Sequence, residues 1–246
     1  MTAGRIRNAV IVAAGESTRL RPLTASMPKS LLPVDREVPM IERSVRQLRE
    51  RGVDRIVVVV GFEQEQVRST LGESVEYVTN PFFRHCNNAG SLWMARSEVG
   101  GGDFVYLHGD VVYEGGLLDG VLESASIPTV QLLVDFGPTD KEAMKVRLEG
   151  GCFAESSKLI PEEQASGEWT GIAGFSGGAA ELVFETIELI LMSGDLDAYD
   201  TTAFNRMAQD DVSFGLKPVG EGRWWEIDTP EDLCAARDLF REPRND

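Results

Sequence analysis

Two hydrophobic periods alternate along the first half of this chain. Residues 6–14 form a nearly unbroken apolar run, as a strand buried on both faces requires. Residues 39–51 put Ile41, Val45 and Leu48 on one helical face, and Gly52 ends that segment. The β-branched run 55–60 is too short for a helix and reads as a strand. A helix at 64–71, a short strand at 75–78 and a helix at 89–98 follow, and a glycine turn at 100–102 leads into a strand at 103–107. Strand, helix, strand, helix in this rhythm predicts an α/β fold: a Rossmann-like, mostly parallel twisted sheet flanked by helices. Ligands of such sheets gather beyond the carboxyl ends of the strands.

After Ser126 the rhythm changes. Segments 129–134, 143–148 and 171–176 read as strands with little helix between them, which predicts a smaller, partly antiparallel lobe. Helices return at 179–192 and 201–208, then strands at 212–219 and 224–227, and a last helix at 230–240. The expectation is one domain over 1–246, with a first half at 1–126, a lobe at 127–225 and a return to the main sheet at 226–246.

Charge narrows the partners. A formal charge of −16 repels nucleic acid and anionic membranes, so neither is expected. No apolar stretch is long enough to span a bilayer. Cys86, Cys152 and Cys234 are odd in number and widely spaced, as reduced thiols in a cytoplasm would be, and they offer no zinc pattern. Lysines are scarce: Lys29, Lys141, Lys145, Lys158 and Lys217 are all of them. Each position therefore carries information.

The first strand runs into Ala13-Ala14-Gly15-Glu16-Ser17-Thr18-Arg19-Leu20, with Pro28-Lys29-Ser30 shortly beyond. Small residues at a strand end let backbone approach a ligand, and successive N–H groups can cradle phosphate. Arg19 and Lys29 add local positive charge. A dinucleotide fingerprint would need two more glycines, and a Walker loop would need Gly before Lys29.

The stretch resembles the nucleotidyltransferase signature Ala-Ala-Gly-x-Gly-Ser/Thr-Arg-Leu, then Pro-x-Thr, then Pro-Lys. Ala13-Ala14-Gly15, Thr18-Arg19-Leu20, Pro22-Leu23-Thr24 and Pro28-Lys29 supply it in order, and Ser17 stands where the second glycine usually does. The resemblance implies that Ala13 to Thr18 hold a nucleoside triphosphate and that Arg19 and Lys29 are catalytic cations. It also implies nucleotide binding in the first half and acceptor binding in the lobe.

Two carboxylates end strands at opposite ends of the chain. Asp110 follows the strand 103–107 in His108-Gly109-Asp110, and Asp228 follows 224–227. Thr229-Pro230-Glu231-Asp232 already supplies a helix cap, so Asp228 is left free for chemistry. Two carboxylate ligands suit Mg²⁺ beside phosphates. The resembled family carries such a pair, which makes Asp110 and Asp228 the expected metal ligands and Mg²⁺ the expected cofactor. Here His108 replaces the first aspartate of the commoner Asp-x-Asp, and Gly109 lies at the same strand end as part of the nucleotide site.

Asn80-Pro81 and Asn87-Asn88-Ala89-Gly90-Ser91-Leu92 are similar to segments of cytidylyltransferases for phosphocholine and small phosphonates. In that resemblance Asn88 and Ser91 face the base, CTP is the donor, and Lys145 reaches the α-phosphate. The acceptor is then a small phosphoester or phosphonate. Glu168, Trp169, Asp200 and Glu226 are the expected acceptor-side residues, with Trp169 as an aromatic wall and Asp200 as a partner for an ammonium group. A sugar-1-phosphate or inositol-phosphate acceptor is the main alternative, and Glu168-Trp169-Thr170-Gly171 is compatible with it. A nucleotide-sensing subunit without catalysis is the non-enzymatic alternative; joint retention of Arg19, Lys29, Asp110 and Asp228 argues against it.

Overall fold

A computed structural model describes residues 4–35, 37–210 and 212–241. The central strand β1 is Asn8–Ala13. Strands β2 (Pro33–Asp35) and β3 (Val38–Pro39) form a small hairpin before helix α1, Met40–Glu50. Strand β4 (Arg55–Val60), helix α2 (Gln64–Leu71) and strand β5 (Glu76–Thr79) complete the first wing. The expected helix at 89–98 is split at Ala95 into α3 (Asn88–Met94) and α4 (Arg96–Val99). Strand β6 (Phe104–His108) follows, then β7 (Val111–Tyr113) and the one-turn helix α5, Leu118–Val121.

β6, β1, β4 and β5 are parallel neighbours in that order. Their alternation explains the continuous apolar runs. Val57 and Val59 turn to one face and pack with Ala89 and Leu92 of α3, whereas Val58 and Val60 turn to the other and pack with Ile41 of α1 and Val67 of α2. All four valines are fully buried, each contributing about 1.5–3 kcal/mol of transfer free energy.

The second half extends the same sheet. Its strands are β8 (Thr129–Asp135), β9 (Lys145–Glu149), β10 (Cys152–Ser157) and β11 (Gly167–Ser176). β11 pairs antiparallel with β6, β8 and β9, which joins the antiparallel part to the parallel part. Helices α6 (Ala179–Met192) and α7 (Asp200–Gln209) lead to β12 (Ser213–Pro218), parallel to β8. β13 (Trp224–Glu226) pairs with β7 in a separate two-stranded sheet, and helix α8 (Pro230–Leu239) closes the described chain. No helix among the described residues is long and apolar enough to cross a membrane.

Two features of this topology build the site. β1 and β6 end side by side, and Gly109 permits it: a Cβ there would lie 2.8 Å from the Val12 carbonyl oxygen. The β13–β7 pairing carries the far end of the chain to the same edge, where the Ile227 N–H donates to the Asp110 carbonyl at 3.0 Å.

Candidate active site

A cleft of about 660 Å³ opens at the carboxyl ends of β1 and β6. Ala13, Ala14, Gly15, Glu16, Ser17 and Thr18 form one wall. Ser17 is left-handed, with φ 50° and ψ 54°, the conformation that favours glycine. The loop is fastened from behind. The fully buried Thr24 donates its hydroxyl to the Ser17 carbonyl at 2.7 Å, and the Phe62 N–H donates to the Ala14 carbonyl at 2.9 Å. Thr24 is the threonine of the Pro-x-Thr element, which thereby holds the turn that Ser17 strains.

Arg19 and Lys29 converge on the two aspartates. Lys29 Nζ lies 2.7 Å from Asp110 Oδ2 and 2.7 Å from Asp228 Oδ1, and Arg19 lies 2.7 Å from Asp228 Oδ2. Burial opposes the Lys29 charge, but the two carboxylates outweigh it and hold its pKa well above the usual lysine value. Burial likewise opposes the Asp110 charge; Lys29 and His108 more than offset it and hold that carboxyl below its usual range. The second Asp110 oxygen, Oδ1, is buried without a hydrogen-bond partner. An oxygen left so is a fitting cation ligand.

Asp228 is held by the capping box after it. Thr229 Oγ1 accepts from the Asp232 N–H at 3.2 Å, and Asp232 Oδ2 accepts from the Thr229 N–H at 2.8 Å. Asp232, shorter than the usual glutamate, still closes the reciprocal pair, which leaves the Asp228 carboxylate to the cations.

Beside this cluster stands a histidine. His108 Nε2 lies 2.7 Å from Asp200 Oδ2, which also accepts the Tyr106 hydroxyl at 2.8 Å. Burial works against the His108 charge, yet Asp200, and then Asp110 and Glu226, lift its pKa to about 9. Glu226 is pushed up to about 7, first by burial and then by Asp110 and Asp228.

Most of the expected residues meet in the cleft: Asn88, Ser91, Gly109, Trp169 and Glu226 line it with the loop, Arg19, Lys29, Asp110 and Asp228. Asn88 opens α3 next to Asn87, whose side chain caps the helix by accepting the Asn88 N–H at 2.8 Å. Ser91 is fixed by the fully buried Asn80, which donates to its Oγ at 3.0 Å. Trp169 reaches the cleft with an edge only. It is 2% exposed, and its indole N–H donates to the Ile172 carbonyl at 2.9 Å.

Three expected residues stand elsewhere. Asp200 is fully buried behind His108 rather than at the cleft surface. Glu168 lines an adjoining cavity of about 510 Å³ with Asp135, Asp140 and Glu142, and Arg19, Glu226 and Asp228 border both spaces. Lys145 lines neither. Its Nζ donates to the carbonyls of Asp140 at 2.9 Å and of Lys141 and Ala143 at 3.4 Å. Three donors meet three acceptors, which explains how an ammonium group tolerates 2% exposure. Lys158 is the lysine of the second half that reaches the cleft, together with Tyr199, Phe83 and Arg84. The scarcity of lysine was the signal available for Lys158. Nothing local marks Arg84, which meets Glu16 across the cleft at 2.7 Å.

Residues 8–144 match the family model described as Nucleotidyl transferase. The bifunctional protein GlmU of Methanococcus vannielii is 26% identical over 241 residues, 95% of this chain and 55% of that protein. A choline-phosphate cytidylyltransferase of Streptococcus pneumoniae is 37% identical over 94 residues, 37% of this chain and 40% of that protein. The solved inositol-1-phosphate CTP transferase from T. maritima superimposes with a TM-score of 0.80 at 23% identity, covering 98% of this chain and all of that one. The chain spans between 39% and 66% of the length of the curated relatives that it matches along most of its own length. With the family model matching more than half of its residues, the chain belongs to the nucleotidyl transferase family.

Proposed function

We propose that this chain transfers a cytidylyl group from CTP to a small phosphoester or phosphonate and releases pyrophosphate. The observation that carries the reading is the convergence of Arg19 and Lys29 with Asp110 and Asp228 beside the strained loop. In a chain of −16, two cations at that edge are what a triphosphate needs. The acceptor oxygen attacks the α-phosphorus in line, the bond to the β-phosphate oxygen breaks, and Lys29 and Arg19 offset the charge that pyrophosphate carries away. Asp110 and Asp228 are the residues that would hold Mg²⁺, which neutralises phosphate charge when bound. The loop backbone holds the phosphates, and Ser91, pinned by Asn80, offers with Asn88 a hydroxyl and an amide to the base. Lys158, at the cleft, takes the phosphate-facing part that the resemblance assigned to Lys145.

The acceptor tail falls to the adjoining cavity. Asp135, Asp140 and Glu142 make it acidic, which favours a cationic or neutral tail over an anionic one. A sugar-1-phosphate or inositol-phosphate acceptor is the second reading. The burial of Trp169 favours it, because an indole sunk in the core cannot wall an aromatic cage for a quaternary ammonium.

Pyrophosphate release with each of the four triphosphates and Mg²⁺ tests both readings, against phosphocholine, 2-aminoethylphosphonate, inositol-1-phosphate and glucose-1-phosphate. CTP with a cationic acceptor is the expected pair. Release with every triphosphate except CTP removes the cytidylyl reading; CTP with inositol or glucose phosphate alone replaces the acceptor.

A further inference from the structure

We propose that Arg84 is a triphosphate-binding residue: its guanidinium, held at the cleft by Glu16 and Phe83, bonds the polyphosphate of the donor. This role rests on the transfer reading above, since the donor must be a triphosphate; neither aspartate of the cleft enters it.

Glu16 creates the need for such a cation. It stands between Gly15 and Ser17 on the wall whose N–H groups would cradle phosphate, and its side chain is 23% exposed. A carboxylate there repels the ligand, in a chain that already carries −16. Arg84 meets it from 68 positions along the chain. Its Nε donates to Glu16 Oε1 at 2.8 Å, and Nη2 lies 2.7 Å from the same oxygen.

That pair uses one edge of the guanidinium. The group has five N–H donors in a planar fork. Nη1 has no hydrogen-bond or ion-pair partner among the described residues, and the Arg84 side chain lines the cleft at 63% exposure. A fork with one edge fixed by a carboxylate and the other open suits phosphate, which accepts two parallel N–H bonds.

Arg84 is placed by the turn between β5 and α3, and three hydrogen bonds fix that turn. The fully buried Asn80 accepts the Phe82 N–H at 2.9 Å. The His85 N–H donates to the Phe82 carbonyl at 2.7 Å, and the Asn87 N–H to the Leu196 carbonyl at 3.1 Å. Gly61 lets the turn reach the phosphate loop: a Cβ there would lie 2.7 Å from the Ala14 carbonyl oxygen and 2.9 Å from Phe83 Cβ. Phe83 then supports the cation, with the guanidinium carbon of Arg84 5.4 Å from the centre of its ring. Carboxylate and ring together restrict the fork before any ligand arrives, so less entropy is lost on binding.

Calorimetric titration of the whole chain with CTP and with inorganic tripolyphosphate, each with Mg²⁺, provides the test. Arg84→Met should weaken both ligands by about ten- to a hundredfold, the worth of a hydrogen bond to a charged group. Tripolyphosphate carries neither base nor ribose, so equal losses place the contact on the phosphates. In a Glu16→Gln chain, Arg84→Met should still cost at least about fivefold, because the phosphate contact does not depend on the carboxylate's charge. Thermal melts show whether each variant is folded, and Arg84→Gln stands in for Arg84→Met if that one is not. Unchanged binding of both ligands overturns the proposal and leaves Arg84 in a plain surface ion pair. A loss confined to CTP also overturns it, by putting the guanidinium on the base or ribose. No cost in the Glu16→Gln chain overturns it too, since Arg84 then does no more than neutralise Glu16. A parent chain that binds neither ligand removes the triphosphate reading and this one together; a parent that binds both, matched by Arg84→Met, removes this one alone.

Discussion

Lys29 Nζ and Asp228 Oδ1 are 2.7 Å apart, although 199 positions separate them in the chain. The same nitrogen meets Asp110 at 2.7 Å, so one ammonium group stands between two carboxylates. Replacing Lys29 with Met leaves both carboxylates at that edge without their shared cation. Lys29→Met is expected to lower stability by about 3–5 kcal/mol, the range for breaking a buried pair from one side. Adding Asp228→Asn should restore a large part of that loss in urea unfolding. Turnover should fall by at least about a hundredfold in both variants. Full activity in Lys29→Met would remove the role given to this lysine.

Ser17 holds a left-handed backbone without the freedom of glycine. A side chain there costs about 1–2 kcal/mol, part of which glycine returns as unfolded-chain entropy. Ser17→Gly should raise stability by about 0.5–1 kcal/mol, and Ser17→Val should lower it. Thermal melts of the two variants check the sign; a melting point lowered by Ser17→Gly contradicts the strain.

Glu168 is pushed up to about 7, by burial first and then by Asp140, against an ordinary value of 4.5. Below pH 4.5 the carboxyl is protonated folded and unfolded, and it does not affect stability. Between 4.5 and 7 the unfolded chain ionises while the folded one holds its proton, so stability falls as pH rises. Above 7 the loss is complete. Glu168→Gln should therefore melt with the parent protein at pH 4.5 and above it at pH 8. A gap independent of pH would show that the carboxyl is not held neutral by its surroundings.

Lys145 and Lys158 differ in what they touch, and their variants should differ accordingly. Lys145→Met removes the group that ties three carbonyls of residues 140–143 together, so the expected loss is stability, with turnover following the loop. Lys158→Met leaves that clamp intact and should raise KM for the triphosphate with little change in melting point. Triphosphate titrations and melts of both variants decide between the assignments. The reverse pattern would return Lys145 to the phosphates.

Local pattern was enough for much of the frame. β4, α2 and α6 begin and end at the positions that their periodicity predicts, because each buries a face dictated by neighbours in sequence. β7 and β10 have no such signature, for the opposite reason. The strand character of β7 comes from β13, far along the chain, and that of β10 from its hairpin partner β9 and the distant α7, while short polar-flanked segments carry no period of their own.

The amino-acid sequence by itself determined the loop at Gly15, the lysine after Pro28, the two aspartates and the freedom of Asp228 from its cap, since spacing and capping rules are local physics. Tertiary structure alone decided which charges meet. It put Lys29 between Asp110 and Asp228, turned Lys145 into its own loop and brought Lys158 to the cleft. It also set Asp200 behind His108. Electrostatic energies depend on separation and burial, and for residues up to 199 positions apart the sheet topology sets both.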